Sequence, residues 1–322
     1  MTSLLAPTAA DIGAAQTRIA PYLRPTLFAH YPALDALVGG ETWLKHENHQ
    51  PTGAFKVRGG VNLVAQLSED ERGRGLVTAS TGNHGQSIAY AAALFDTAAR
   101  ICVPEGANPL KLEAIRRFGG QLAVRGRDFD EAREHAEELA REHGYRYVHS
   151  GNEPDLIAGV GTATLELLEE RPDIDVLIVP VGGGSGAAGA CIAAKSLRPG
   201  LRVIGVQSTG APAAQRAWVE RRLVEDRMQT FAEGLATRVA FELPQRIMWE
   251  LLDDFVLVDD SEIAVAVVQL LETARTVAEP AGAAPLAALL ALRDELAGQR
   301  VALIVSGGNI TLAQLRNLLG QA

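Results

Sequence analysis

"VPVGGGSGAAGACIAAK", residues 179–195, decides the fold. An apolar run passes into four glycines within five positions and then into an alanine-rich stretch of helical composition. Strand, glycine turn and helix N-terminus together aim several backbone N–H groups and the positive end of a helix dipole at one point, which suits a phosphate. The strand feeding this turn, "DVLIVPV" (175–181), is apolar almost throughout, as a strand covered on both faces must be.

Outward from this unit the same grammar repeats. Short apolar runs recur at 75–79, 99–104, 121–124, 145–149, 201–207, 255–258 and 301–306, most of them separated by helical patterns. Strands alternating with helices predict parallel βαβ units, so the fold class is α/β. Asp128 and Asp260 mark the starts of helices expected over 128–142 and 261–276. The stretch 208–254 shows the least regularity and holds two widely spaced tryptophans, the pattern of a lid or a site wall. No internal repeat and no Pro/Gly/Ser-rich linker interrupts the chain.

Composition narrows the clientele. With 322 residues, 47% hydrophobic and 21% charged, the chain reads as an ordinary globular protein. A formal charge of -9 with both signs interspersed argues against nucleic acid and anionic membranes, leaving small molecules. Cys102 and Cys191 lie in apolar runs, as buried thiols of a reducing compartment do. The N-terminus lacks a basic segment followed by a sustained apolar one, and the apolar stretch 281–292 is too short for a bilayer. A cytoplasmic location is expected.

Three further motifs carry chemistry. In "HQPTGAFKVRGG" (49–60), Lys56 stands at the mouth of a helix behind Phe55, although a helical lysine is ordinarily a solvated surface residue. "TASTGNHGQSIAY" (78–90) ends a strand in small hydroxyl residues and glycines and opens a helix, a cradle for a carboxylate. "SGGN" (306–309) follows the strand near the C-terminus and offers a hydroxyl. Gly184, Gly186 and Gly189 also satisfy G-x-G-x-x-G, but a dinucleotide site needs an acidic residue about 20 positions on. Gln207, Ser208 and Thr209 stand there instead, so a nicotinamide oxidoreductase is the weaker alternative. An amine, a phosphate loop, a carboxylate grip and a partner for a ring nitrogen are together the requirements of pyridoxal 5'-phosphate.

With these motifs in view, the chain resembles the fold-type II pyridoxal-phosphate enzymes, and within them the threonine/serine dehydratase and serine racemase branch. "TGAFKVRGG", "STGNHGQSIAYAAALF", "GRDFDEA", "NEPDLIAGVGTATLELLEE", "VPVGGGSGAAG", "TFAEGLA", "EPAGAAPLAAL" and "VSGGN" fall in family order over nearly the whole length. The resemblance implies two parallel-sheet domains with the active site between them, a large one from 1–73 and 151–322 and a small one from 74–150. It implies that Lys56 is the Schiff-base lysine with Phe55 packed beside the cofactor ring. Asn83 is implied to bond the ring hydroxyl, Gly182, Gly183, Gly184 and Ser185 the phosphate, and Ser306 the pyridine nitrogen. Ser80, Thr81, Gly82, Asn83 and His84 are implied to hold the substrate carboxylate, with Glu233, Gly234, Thr237 and Glu279 lining the site. The implied reaction is deamination of an L-β-hydroxy amino acid of the threonine or serine type, with 3-hydroxyaspartate and phenylserine also open, to a 2-oxo acid and ammonia. A racemase on the same scaffold is the alternative, and a homodimer the expected assembly.

Departures from the family pattern sharpen these expectations. Ser185 replaces a fourth glycine and adds a hydroxyl donor. Gln207 and Ala213 stand where metal-binding relatives carry acids, so no divalent cation is expected there. Thr81 occupies the place of the racemase's second base. The histidines of "HENH" (46–49) are expected to be satisfied strand-end residues rather than ligands. The chain ends soon after "SGGN", so an appended regulatory domain is not expected.

Overall fold

Alternate residues of the strand Val176–Pro180 enter two different cores, which is why its sequence shows no polar face. Val176 and Ile178 pack with Ile263, Val267 and Leu286 on one side, while Leu177 and Val179 pack with Ala187, Ala190 and Cys191 on the other. The computed structural model describes residues 5–320. Its strands are β1 (Phe28–His30), β2 (Glu41–Lys45), β3 (Leu76–Ala79), β4 (Ala99–Val103), β5 (Gln121–Val124), β6 (Arg146–Tyr147), β7 (Val176–Pro180), β8 (Arg202–Ser208), β9 (Asp254–Val258) and β10 (Arg300–Ile304). They form a six-stranded sheet in the order β1-β2-β10-β7-β8-β9 and a four-stranded sheet in the order β5-β4-β3-β6. All pairings are parallel except β1 with β2. The fold is α/β with two parallel-sheet domains.

Neither β1 nor β2 stands out as an apolar run, although β2 ends where the histidines of 46–49 were expected to follow a strand. "ETWLK" is short and charged at both ends, and it becomes a strand because β10 pairs along its whole length, Arg300 with Glu41 through Ile304 with Lys45. The helix expected from 128 runs Phe129–His143, with the Asp128 side chain accepting from Glu131 N at 3.0 Å. The helix expected from 261 begins one residue earlier, at Asp260, because Asp259 is its cap and closes a reciprocal box with Glu262. Asp260 instead accepts from Ser208 Oγ, Thr230 Oγ1 and Phe231 N at 2.6–3.0 Å, pinning the 208–231 segment. The region 208–254 is also more regular than its sequence suggests. It holds helices Ala213–Glu220 and Glu242–Leu251, locked together by Trp218 Nε1 on Met248 O (3.0 Å) and Trp249 Nε1 on Ala217 O (2.9 Å).

Three helices meet through glycine, which sets how closely the site's walls approach. On helix Pro154–Glu170, a Cβ added at Gly159 would stand 2.6 Å from Arg58 O and 2.7 Å from Gly59 Cα of helix Lys56–Val64. On helix Ser185–Leu197, one added at Gly189 would stand 2.6 Å from Ile157 O. Around the four-stranded sheet, Val57, Val61 and Val64 of the Lys56 helix join Leu76, Ile88, Ile101 and Leu156 in one core. Cys102 and Cys191 are both free and buried, and burial raises both thiols, Cys102 to about 11. Among the described residues, no helix is long and apolar enough to cross a membrane.

Candidate active site

Three loops converge because each leaves the carboxyl end of a parallel strand, where α/β sheets open a crevice. Ser80–Asn83 follows β3, Gly182–Ser185 follows β7, and Ser306–Asn309 follows β10. The Lys56 turn is stitched to the last of these by backbone. Phe55 N donates to Ser306 O (2.9 Å), Gly308 N donates to Gly53 O (2.9 Å), and Ala54 bridges Gly307. Gly53 has φ 70, and a Cβ there would lie 2.4 Å from Asn309 Oδ1, so the position calls for glycine.

Lys56 heads its helix and reaches into the space between the loops. Its Nζ donates to Ser185 Oγ at 2.6 Å and to Ser150 O at 3.4 Å, and stands 5.3 Å from the Phe55 ring centroid. Burial pulls its pKa down to about 8, which makes the amine far easier to deprotonate than a surface lysine. Two histidines stand near and are themselves held neutral. His84 is buried with Nε2 3.0 Å from Thr78 Oγ1, which donates to Val148 O at 2.7 Å, so that Nε2 carries the hydrogen. Burial, then the charges of Lys56 and His149, push it down to about 3. His149 Nδ1 accepts from Gly151 N and Asn152 N, both at 3.0 Å, and burial, Arg133 and Lys56 push it down to about 4.

The glycine loop has no room for side chains. A Cβ on Gly182 would stand 2.1 Å from Gly234 O, and one on Gly183 would stand 2.3 Å from the Phe241 ring. Gly184 sits at φ 87 and caps the helix that Ser185 opens, leaving the first-turn N–H groups without helical partners. Thr237 Oγ1 donates to Gly182 O at 3.4 Å from the other side. Phe55 lies against Gly186, where a Cβ would come within 2.8 Å of its ring.

The third wall is a hydrogen-bond chain. Asn309 Nδ2 donates to Thr52 O (2.8 Å) and to Asn83 Oδ1 (2.7 Å), and Asn83 Nδ2 donates to Glu279 Oε1 (2.7 Å). Burial raises the Glu279 carboxyl, opposed by the Asn83 bond and by Lys111. Glu279 abuts the loop after β10: its N–H donates to Gly307 O at 2.9 Å, and its Oε1 leaves no space for a Cβ on that glycine. Ser80 Oγ accepts from Gly82 N at 3.2 Å, Thr81 is half-buried beside it, and Ser306 is buried. Glu233 is half exposed on the short turn Glu233–Leu235 and pairs with Lys111. Asn309 lay within a motif visible in the sequence. His149, Phe241 and Lys111 belong to no such motif, and only the tertiary structure brings them here.

The remaining expectations have definite places. Gln207 is buried, and its Oε1 accepts from Ala214 N and Gln215 N at 3.1 Å, capping helix Ala213–Glu220. His46 and His49 stack at 4.9 Å beyond the end of β2, with His46 Nε2 2.9 Å from Tyr31 OH.

A buried, easily deprotonated lysine, a side-chain-free loop at a helix N-terminus, an aromatic wall and a second helix-opening loop fit pyridoxal phosphate. This fold and site define a pyridoxal-phosphate enzyme of the two-domain parallel-sheet class. Residues 19–307 match the family described as pyridoxal-phosphate dependent enzyme, and the chain belongs to it. It is 41% identical over 318 residues to the L-threonine ammonia-lyase of Thermotoga maritima, covering 98% of this chain and 78% of that one. It is 36% identical over 314 residues to L-threonine dehydratase catabolic TdcB of Staphylococcus aureus, covering 96% and 91%. The structure of maize serine racemase superimposes with a TM-score of 0.92 at 32% identity, covering 98% of each chain. The chain is a pyridoxal-phosphate-dependent ammonia-lyase.

Proposed function

We propose that this enzyme converts an L-β-hydroxy amino acid of the threonine or serine type to the corresponding 2-oxo acid and ammonia. The observation that carries the reading is Lys56, whose amine projects into the cleft at 2.6 Å from Ser185 Oγ with its proton affinity lowered by burial. Pyridoxal phosphate, when bound, supplies an electron-withdrawing ring that acidifies the Cα–H of the amino acid. Lys56 would anchor the cofactor, and its freed Nζ would accept the Cα proton. Ser185 Oγ orients that amine, and the N–H groups of Gly182 to Ser185 hold the phosphate. Asn83 keeps one Nδ2 hydrogen for the ring hydroxyl, and Ser80 to Asn83 receive the substrate carboxylate. His84 can contribute there through its backbone, because its ring is turned to Thr78. Ser306 would offer the pyridine nitrogen a neutral hydroxyl in place of a carboxylate, a partner that would favour prompt loss of the β-hydroxyl. Lys56 Nζ would pass the proton taken from Cα to the departing β-hydroxyl, which leaves as water, and a second water added at Cα would release ammonia and the 2-oxo acid.

The same reading divides the chain into 1–73 with 151–322 and 74–150, supported by the strands of each sheet falling within those ranges. A second reading, racemisation, draws support from the likeness to maize serine racemase and from the hydroxyl that Thr81 retains. The deciding experiment incubates the holoenzyme with L-serine, L-threonine, 3-hydroxyaspartate and phenylserine, and measures oxo acid, ammonia and the D-enantiomer. Oxo acid and ammonia in equal amounts from threonine or serine are expected. D-amino acid as the main product overturns the reading.

A further inference from the structure

A small, open polar cleft adjoins the site on the side of Asn83, and its charges are unevenly shared. It is lined by Lys111, Glu233, Gly234, Glu279 and Asn309, among others. It touches the site at two points: Glu279 and Asn309 both bond Asn83 at 2.7 Å, and Gly234 O lies 2.1 Å from where a Cβ on Gly182 would be. Lys111 comes from the first turn of helix Pro109–Arg117, which packs with the four-stranded sheet, and crosses to Glu233 beyond β8 of the other sheet, forming an ion pair. The lysine side chain is only 16% exposed, against 53% for Glu233. Burial lowers the Lys111 pKa and the charge of Glu279 works against that. Among the described residues, Lys111 is the one cation lining the cleft; it is committed to a carboxylate, and a second carboxylate, Glu279, stands behind it.

We propose that the Lys111–Glu233 pair sets substrate charge selectivity: the cleft takes the substituent on the substrate β-carbon and admits a neutral one while rejecting a second carboxylate. The inference rests on the ammonia-lyase reading above and deepens it. A β-carboxylate entering the cleft finds its only possible cation already paired, and it meets Glu233 and Glu279 at close range, a like-charge penalty that a methyl or hydrogen does not incur. Selectivity here works by repulsion, with no new attractive contact to the preferred substrate.

The test compares kcat/KM for L-threonine and for L-threo-3-hydroxyaspartate in the holoenzyme, with cofactor absorbance showing that each variant is folded and loaded. Glu233→Gln frees Lys111, and the ratio of 3-hydroxyaspartate to threonine should rise by about tenfold, a modest figure because Glu233 is half exposed to screening water. Adding Lys111→Gln to that variant should cancel the gain. Lys111→Gln alone leaves Glu233 unpaired and should lower the ratio below that of the wild type. The inference is overturned by an unchanged ratio in Glu233→Gln, by a gain that survives in the double variant, or by a wild type that prefers 3-hydroxyaspartate. A wild type inactive on every β-hydroxy amino acid sinks the proposed substrate class and this inference with it, so the two failures are distinguishable.

Discussion

Lys56 owes its chemistry to where its neighbours put it. An exposed lysine holds its proton to a pKa near 10.4, whereas this one is pulled to about 8 by burial beside neutral histidines and the Ser185 hydroxyl. Capture of pyridoxal phosphate requires the free amine, so the rate at which cofactor-free protein gains visible absorbance should rise with pH and reach half its maximum near pH 8. A rate still climbing in proportion to hydroxide well above that pH would show that Lys56 titrates as a solvated amine. In the proposed reaction, Thr81 is the residue on which the other branch point turns. Its β-branch restricts the rotamers that could aim its oxygen at Cα, so oxo acid should exceed D-amino acid by about tenfold, a barrier difference of about 1.4 kcal/mol. Thr81→Ser should raise the D-enantiomer while leaving ammonia release largely intact, which chiral chromatography of the products checks.

At the scale of the element, the helix Lys56–Val64 is held by charge as well as by glycine contacts. Arg58 is fully buried and grips Glu47 through two bonds of 2.7 and 2.8 Å and Glu166 through two of 2.6 and 2.7 Å. Lys45 completes the set on Glu166 at 2.7 Å. Burial opposes ionisation of Glu47, yet Arg58 beside it outweighs that and holds its carboxyl below the usual range. Two cations balance two carboxylates, and removing one cation strands a charge in the interior. Arg58→Met should therefore destabilise the protein by about 3–5 kcal/mol, read as a lower denaturant midpoint by circular dichroism. A midpoint unchanged from the wild type would mean that water reaches the network. The sequence displayed this helix and its lysine plainly, but Glu47 and Glu166 looked like any other acids, because burial of a charge pair leaves no local periodic signal.

For the whole molecule, the decisive feature is that two sheets present the carboxyl ends of their strands to one crevice, bridged by Asn83 to Glu279, Asn309 to Asn83 and Lys111 to Glu233. Gln207 caps a helix with its side-chain carbonyl oxygen, and Ala213 has no side-chain oxygen, so neither supplies the negative charge a hard cation favours. Treatment with a strong chelator should leave ammonia release from threonine or serine essentially unchanged. Activity that collapses with chelator and returns with magnesium would place a cation site elsewhere in the molecule.

The parallel α/β class, the side-chain-free glycine loop, the lysine at a helix mouth and the two helix-opening loops were all legible in the sequence. Each is dictated locally, by apolar runs of strand length, by glycines where no Cβ fits, and by capping residues beside helical patterns. Tertiary structure decided which of them meet. Thr52 and Asn309, bonded across 257 residues of chain, bring the Lys56 turn onto the loop after β10. The strand "ETWLK" exists because β10 pairs with it, and His149 and Lys111 enter the site only by packing. Backbone pairing between distant segments and the burial that shifts a pKa depend on what comes to lie alongside, and local pattern carries no record of that.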